Sequence, residues 1–458
     1  MSEKQYFEPT GMTSEPELNV WGRVDYADVL TAVQERISGK LKEPVDHYTE
    51  ETLKEIIYRD IRDYKVKCNL TKEPEVLVNY IYHDMAGYSW ITRDGLFDKE
   101  GFEEININSW NDVEVVTGGV PEKTNYSFLS PEHAVNILCR IFSKTQTPFD
   151  VVSCHATADI GDGIRITAMR APLIDVECGV VASIRKVNVG EITRDELLRR
   201  ETLTEEMLDF LEICLHHGVS MCISGETGTG KTTLAASLLS TAADTLRIFT
   251  IEEGAREWNF VKRDANGAAV NSVVHTKTCA MQDEKNSVDQ EILSKLALRF
   301  DPDIVAPGEI RGREAYEVMG VSNTGHTVCT TVHSNGTADT PERIVTLAKK
   351  AYDMSDATLY GMFARAFPIL VHLKKGADRK RRVTEIREVT GCVKGEIQSN
   401  MLFEYLVEDN VYEGDTCIEV KGHFSQLAPI SNDLVKRLLD KGARRCQLTP
   451  YMKKGGTK

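Results

Sequence analysis

The chain has 458 residues, 41% of them hydrophobic and 27% charged, with a formal net charge of −15. A single core rarely grows past about 250–300 residues, so two or three soluble domains are expected. The acidic excess argues against a protein that coats nucleic acid, because phosphate contacts need Lys and Arg. The 11 cysteines are odd in number and none form a C-x-x-C pair. Cys139, Cys214 and Cys222 lie inside apolar runs, which fits free thiols in a reducing cytosol rather than disulfides or a zinc site. No charged-then-apolar leader is present, and no apolar run reaches about 18 residues. The expectation is a cytoplasmic protein that a partner must hold if it works at a membrane.

In chain order, residues 1–20 are polar and read as loose. Residues 26–40 place Val29, Val33 and Ile37 at helical spacing. Further amphipathic stretches run from Leu53 to Tyr64 and, after Pro74, through Val76, Val78, Ile81 and Tyr82. This predicts a small helical extension over residues 1–95, read as a packing or docking module. From about residue 100 the period changes: Glu103–Asn108 alternates as a strand does, and Val113–Val116 follows a turn. Ser130-Pro131-Glu132 opens a helix, with Ser130 as cap and Pro131 in the first turn. Thr157–Ile166 reads as a hairpin around Gly161-Asp162-Gly163, and residues 180–185 as another strand. These elements predict an α/β domain over 96–190. The polar residues that follow read as a linker, 191–200. From 201, helices alternate with apolar runs at Val219–Ser224, Leu246–Ile251, Asp303–Ala306, Val328–Val332 and Ile369–Leu373. That alternation predicts an α/β domain with a largely parallel sheet over 201–430, then a C-terminal helix and a loose tail, 431–458.

The strongest chemical signal is Gly225-Glu226-Thr227-Gly228-Thr229-Gly230-Lys231-Thr232-Thr233, which satisfies G-x-x-x-x-G-K-[ST] at every fixed position. An apolar strand precedes it and a helix follows. Such a loop turns backbone N–H groups inward as an anion nest at a helix N-terminus. Lys231 is expected on the β- and γ-phosphates of ATP, and the Thr232 hydroxyl on Mg²⁺.

Hydrolysis also needs a carboxylate near the metal or the attacking water. Glu309, presented after the apolar run Asp303–Ala306, is the first candidate, as a water-polarising group or in the Mg²⁺ shell; a strand-end surface acid is the alternative. Glu252 and Glu253 end the next strand and form a second acidic pair, unless they are simply solvated. His326 and His333 flank a strand at a spacing too long for a compact metal pair. Each is either a hydrogen-bonded structural group or a sensor of the γ-phosphate or water.

Taken in order, Gly225–Thr233, Glu252-Glu253, Gly308-Glu309-Ile-Arg-Gly312 and Thr324-Gly-His326 with Thr331-Val-His333-Ser-Asn335 resemble the type II/type IV secretion ATPase superfamily, with its Walker A, Asp box, Walker B and His box. Glu103–Asn108, Asp162–Arg165, Ser183–Lys186 and Arg381–Val389 are similar to the branch serving Tad/Flp pili. The resemblance implies a RecA-like P-loop motor domain preceded by an α/β, PAS-like domain. It also implies a homohexameric ring, ATP and Mg²⁺, an integral inner-membrane platform protein as partner, and a position at the cytoplasmic membrane held through partners. Arg165 and Arg185 are implied to act on the nucleotide phosphates. Ile164 and Ile166 share one strand face, so Arg165 takes the other, where a solvated arginine is the plainer alternative. The sequence departs from the family at Glu253, where the family has Asp, and in a stretched spacing to Glu257. Pro307 lacks a ladder N–H, which predicts that its strand ends by Ala306. Two competing readings stand beside this one. A nucleic-acid translocase would use the basic run 374–382, otherwise a charged hairpin turn. A nucleotide-gated scaffold would bind ATP without turnover, against which Glu309 and the double acid argue.

Overall fold

The structure, a computed structural model, describes residues 25–41, 45–68, 73–99, 102–117, 120–145, 147–161, 163–186, 193–254, 256–279 and 287–452. The polar start at 1–20, the tail at 454–458, Asp162 of the hairpin turn and residues 187–192 before and within the expected linker lie outside them. The chain divides into two units, residues 1–188 and 189–458.

In the first unit, α1 (Tyr26–Ser38), α2 (Glu50–Asp63) and α3 (Pro74–Met85) bury the apolar positions that their spacing aligns. Val33, Ile37, Leu53, Ile57, Leu77 and Ile81 form their shared core. Val76 is the exception and faces solvent. A short α4 (Trp90–Arg93) leads into β1 (Phe102–Ser109), β2 (Asp112–Thr117) and β3 (Val120–Lys123). The helix α5 (Pro131–Lys144) starts where its sequence cap predicts, the Ser130 side chain accepting from the His133 N–H. Then come β4 (His155–Asp159), β5 (Ile164–Arg170) and β6 (Val180–Lys186). The strands pair in the order β3-β2-β1-β6-β5-β4, every neighbour antiparallel. The apolar face, with Ile105, Ile107, Ile166 and Ile184, packs with Ile137, Leu138, Ile141 and Phe142 of α5. Arg140 of α5 donates to the carbonyls of Gly87 (2.7 Å) and Asp84 (2.9 Å), tying the helical extension to the sheet layer.

In the second unit, residues expected as linker instead carry α6 (Arg194–Arg199), capped by Thr193 and anchored by buried Leu197. There follow α7 (Glu205–His216), β7 (Met221–Gly225), α8 (Lys231–Ser240), β8 (Arg247–Glu252), β9 (Ser272–Lys277), α9 (Gln290–Ala297) and β10 (Ile304–Pro307). Next are α10 (Ala315–Asn323), β11 (Thr327–Val332), α11 (Thr340–Ala348), α12 (Asp356–Ala366) and β12 (Ile369–Lys375). The chain then runs through β13 (Arg381–Val393), β14 (Glu396–Glu413), β15 (Thr416–Gln426), α13 (Asn432–Asp440) and α14 (Arg445–Leu448). One nine-stranded sheet results, in the order β15-β14-β13-β12-β7-β11-β10-β8-β9.

From β12 to β9 all neighbours are parallel. This is the RecA-like α/β arrangement expected, with β7 buried along its whole length as parallel central strands are. The largely parallel sheet is extended by an antiparallel block, β13-β14-β15, for which the sequence carried no expectation. The basic run 374–382 lies at the turn between β12 and β13, as its plainer reading had it.

One expectation is corrected. The strand before Glu309 runs through Pro307, not only to Ala306. The ladder tolerates the proline because the Gly308 N–H donates to the Ile251 carbonyl (2.8 Å), which stands opposite Pro307 in the register. The C-terminal helix packs into the core of the second unit. Leu434, Val435 and Leu438 of α13, with Leu448 and Tyr451, belong to the same core as Met221 and Ile223. The Ser431 N–H, which opens α13, donates to the buried Glu388 of β13 (2.8 Å). Leu438 has 0% exposure. Leu438→Ala is therefore expected to cost about 2–4 kcal/mol in denaturant titration of the full chain, the range for emptying a buried leucine site. A loss under about 1 kcal/mol would mark α13 as peripheral.

Candidate nucleotide site

The site forms where the parallel strands end. Buried β7 delivers the chain to a loop whose glycines are required by geometry. Gly228 and Gly230 have φ of +75° and +94°, where side-chain-bearing residues are strained. At Gly225 a Cβ would lie 2.5 Å from the Leu373 carbonyl oxygen of β12. The loop closes on itself: Thr229 Oγ1 donates to the Glu226 carbonyl (2.9 Å), and Lys231 Nζ donates to the same oxygen (2.7 Å). Lys231 is the first residue of α8, so its ammonium lies at the helix N-terminus, where an anion is favoured. Thr232 and Thr233 follow in the first turn, both half-buried, while Glu226 and Thr227 are exposed on the loop. A cavity of about 590 Å³ opens here, lined by Gly225, Glu226, Thr227, His333, Asn335 and Arg343 among others. That volume suits a drug-sized or nucleotide-sized ligand.

From Lys231 a line of polar groups crosses the strand ends. Lys231 Nζ is 3.4 Å from His333 Nδ1 at the end of β11. His333 Nε2 is 2.9 Å from Glu309 Oε1. That contact is not aligned as a hydrogen bond, so Glu309 Oε1 is buried without a donor among the described residues. The other oxygen, Oε2, accepts from the Arg311 guanidinium at 2.7 Å, and Arg311 also reaches Glu253 Oε2 at 2.6 Å. The turn carrying Arg311 is held by Glu314, whose Oε1 accepts the N–H groups of Arg311 (2.6 Å) and Gly312 (2.7 Å). Burial pulls the Lys231 ammonium below its ordinary value, and the Glu309 charge opposes that shift. Burial, then the Lys231 charge, holds the His333 imidazole low, again against Glu309. A neutral His333 can accept from the P-loop cation at Nδ1 while its Nε2 stands beside the carboxylate.

The structure thus brings together Lys231, His333, Glu309 and Glu253. It also adds Arg311, quoted in the motif around Glu309 but given no role from sequence. Its signal was a cation two residues after an acid, which is too common to single out.

Two sequence candidates are not part of this line. Glu252, adjacent to Glu253, is 4% exposed, and its Oε2 accepts the backbone N–H groups of Glu257 and Trp258 (2.9 Å for Trp258). It anchors the loop after β8 rather than presenting a carboxylate to metal or water. Burial pushes it up to about 7, while burial takes the neighbouring His275 down to about 4. His326 precedes β11, hydrogen-bonded to Thr324 Oγ1 (3.1 Å). A six-residue strand separates it from the site-facing end of β11, a span of about 20 Å. The sensor role considered for it is therefore corrected to a structural one.

Arg165 and Arg185 belong to the first unit. They stand opposite each other on β5 and β6, with Asp159 opposite Arg165 and Glu104 opposite Arg185. The sheet thus carries a charged row, acid-Arg-Arg-acid, on the face away from Ile164, Ile166 and Ile184.

A family model described as type II/IV secretion system protein matches residues 159–417. A putative conjugal transfer protein of Mycobacterium tuberculosis is 30% identical over 184 residues, covering 38% of this chain and 49% of that protein. The conjugal transfer protein TrbB of Rhizobium radiobacter is 27% identical over 234 residues, covering 50% of this chain and 65% of that protein. The chain thus spans from about half to just under two thirds of the length of these curated relatives. Among solved structures, the Legionella pneumophila ATPase DotB is similar at 20% identity and a TM-score of 0.44, over 64% of this chain and 78% of that one. The pilus retraction motor PilT with bound ADP is similar at 19% identity and a TM-score of 0.44, over 66% of this chain and 79% of that one.

The Glu252 environment has a consequence for pH. The folded chain holds this proton more tightly than the unfolded chain does. The resulting stability is full below the ordinary carboxylate value of 4.5 and is lost as pH rises through about 7. The effect is on the order of 3 kcal/mol. Glu252→Gln keeps an acceptor for the two N–H groups without the ionisation. It is expected to flatten this fall in stability when unfolding is compared at pH 5 and pH 8. An unchanged slope in the variant would remove Glu252 from the account.

Proposed function

Because this chain belongs to the type II/IV secretion system protein family, we propose that it hydrolyses ATP at the P-loop of its second unit and uses the turnover to drive assembly of a pilus or secretion apparatus. The observation that carries the reading is the line Lys231–His333–Glu309–Arg311–Glu253 at the strand ends beside the loop. The loop amides and the α8 N-terminus bind phosphate oxygens. Lys231 exchanges the Glu226 carbonyl for the β- and γ-phosphates. Glu309 accepts the proton of the attacking water at Oε1, the oxygen that lacks a donor among the described residues. Arg311 holds Glu309 Oε2 and so fixes which oxygen is free. The Thr232 hydroxyl would hold Mg²⁺, and Glu309 would act on the ion only through its water shell, as a carboxylate near a phosphate-bound cation can. Mg²⁺, when bound, neutralises charge on the β- and γ-oxygens.

In this reading the chain acts as a homohexameric ring of the Tad-like branch, with an integral inner-membrane platform protein as partner. Among the described residues no helix is long and apolar enough to cross a membrane, which fits attachment through that partner. A second reading, a conjugation or packaging motor that moves nucleic acid, draws support from the conjugal-transfer names of the relatives. The net charge of −15 weighs against DNA touching this subunit. DNA-stimulated turnover would favour it.

Lys231→Ala is expected to abolish nucleotide binding nearly completely. Glu309→Gln is expected to retain ATP binding and lose about two or more orders of magnitude in phosphate release, the scale of a lost acid–base group. Normal ATP affinity in a folded Lys231→Ala chain would overturn the site assignment. Near-normal turnover by Glu309→Gln would move the base elsewhere, with Glu253 next in line.

The resemblance further supports Arg165 and Arg185 as groups acting on γ-phosphate charge. Removing either should lower turnover, by up to about 10³-fold, with ADP affinity almost unchanged, because ADP has no γ-phosphate. Full turnover in both alanine variants would return these residues to a structural role in their sheet.

A further inference from the structure

The turn between β12 and β13 was read from sequence as a charged hairpin, and it is one. Its conformation is held on several sides. Asp378 and Arg382 form a buried two-pronged ion pair, with nitrogen–oxygen distances of 3.0 and 2.6 Å. The Arg382 guanidinium holds the Asp378 carboxyl down to about 2. Asp378 also accepts the N–H of Lys380 (3.2 Å) and that of Val420 on β15 (3.2 Å). The Gly376 N–H closes the turn on the Lys380 carbonyl (2.8 Å). Between these anchors sits Arg381, exposed, with its stem over the P-loop: a Cβ at Gly230 would lie 3.6 Å from Arg381 Cδ. Arg381 Nε donates to the Gly228 carbonyl at 2.8 Å.

That bond has a directional consequence. In a trans peptide the C=O of one residue and the N–H of the next point in opposite directions. Holding the Gly228 carbonyl toward Arg381 therefore turns the Thr229 N–H to the other side of the loop. Thr229 is buried and its hydroxyl is tied to the Glu226 carbonyl, so the peptide is set from both ends. Gly228 sits in the left-handed region, where glycine has several accessible conformations. An outside restraint is what selects one of them before the ligand arrives.

We propose that Arg381 is a positioning residue for nucleotide binding, which holds the Gly228 carbonyl outward and so aims the Thr229 amide into the phosphate nest. This rests on the reading that the P-loop binds ATP. It assigns part of that binding to a residue about 150 positions away that belongs to none of the nucleotide-binding motifs. The role acts on the shared part of ATP and ADP, and it precedes chemistry.

The test uses the full-length chain and a choice of variants dictated by the atom that makes the bond. Gln Nε2 lies at the same position along its side chain as Arg Nε, so Arg381→Gln can restore a donor to Gly228 without the charge. Arg381→Ala removes both. Binding of fluorescent ATP and ADP analogues and steady-state hydrolysis are measured for each, with the thermal midpoint as a check on folding. Arg381→Ala should weaken ATP and ADP binding equally, by about tenfold, and raise KM similarly, while kcat changes less than about threefold. Arg381→Gln should recover most of the affinity.

Unchanged affinity in Arg381→Ala would overturn the proposal. So would a Gln variant as weak as the Ala variant, which would mean that charge on the ligand, not the Gly228 bond, is what Arg381 supplies. A loss confined to kcat would overturn it in favour of a part in the chemistry. An unaltered chain that binds no nucleotide would sink the parent reading, and with it this one. Normal binding by the unaltered chain with an indifferent Arg381→Ala would sink only the inference.

Discussion

At position 225 there is no space for a side chain. A Cβ there would meet the Leu373 carbonyl at 2.5 Å and Thr229 Oγ1 at 2.8 Å. The end of β7 therefore meets the backbone of its neighbour β12 and the Thr229 hydroxyl of the returning P-loop at the same point. Much else follows from that approach. The loop can fold back far enough for Thr229 and Lys231 to share the Glu226 carbonyl. The strand pairing β12–β7 continues to Leu373 and Gly225, so the β12–β13 turn emerges beside the loop and not away from it. Arg381 reaches Gly228 only because of this adjacency.

Three glutamates end neighbouring strands of one sheet, and their surroundings give them different work. Glu252 is deeply buried, with Oε2 answered by two backbone amides and Oε1 without a donor among the described residues, and it holds a loop. Glu253 is half exposed, and Glu309 is mostly buried with one oxygen lacking a donor among the described residues. Arg311 lies between these last two and offsets the repulsion that two nearby carboxylates would otherwise feel. Arginine suits this position because its planar fork can serve two acids at once. Burying a carboxylate oxygen without a donor costs free energy; Glu252 bears that cost too, and what distinguishes Glu309 is its place beside His333 and Lys231.

The antiparallel block beyond β12 supports the site from outside the parallel core. Glu388 on β13 receives α13, and Thr337, just past the strand that carries His333, donates to Glu385 of β13 (3.0 Å from its N–H). Arg387 donates to the Thr337 hydroxyl as well (2.9 Å). The segment after His333 is thus pinned to β13, which also starts at the Arg381 turn. P-loop, His333 segment and antiparallel block are joined by polar bonds of ordinary length, so a shift in one is felt in the others.

The P-loop, the helix caps and the parallel strands were legible in the sequence because each depends on near neighbours. Glycines with positive φ, a helix starting at Lys231 and an apolar strand before Gly225 are local facts. The antiparallel block was not legible. Beyond the reach of β13 its strands expose both faces, with Val407, Tyr412 and Ile418 all in solvent, so no apolar alternation marks them. Nor could adjacent residues be told apart. Glu252 and Glu253 differ by one position, but that step turns one side chain into the core and the next toward Arg311. His326 and His333 lie close in sequence, but a buried parallel strand carries one to each end of the sheet. The sequence by itself determined where phosphate can be held, because a strand, a glycine loop and a helix N-terminus form from consecutive residues. Only the tertiary structure decided which acid, histidine and arginine attend that loop, because strand polarity, side-chain alternation and pairing between residues more than a hundred positions apart set those neighbours.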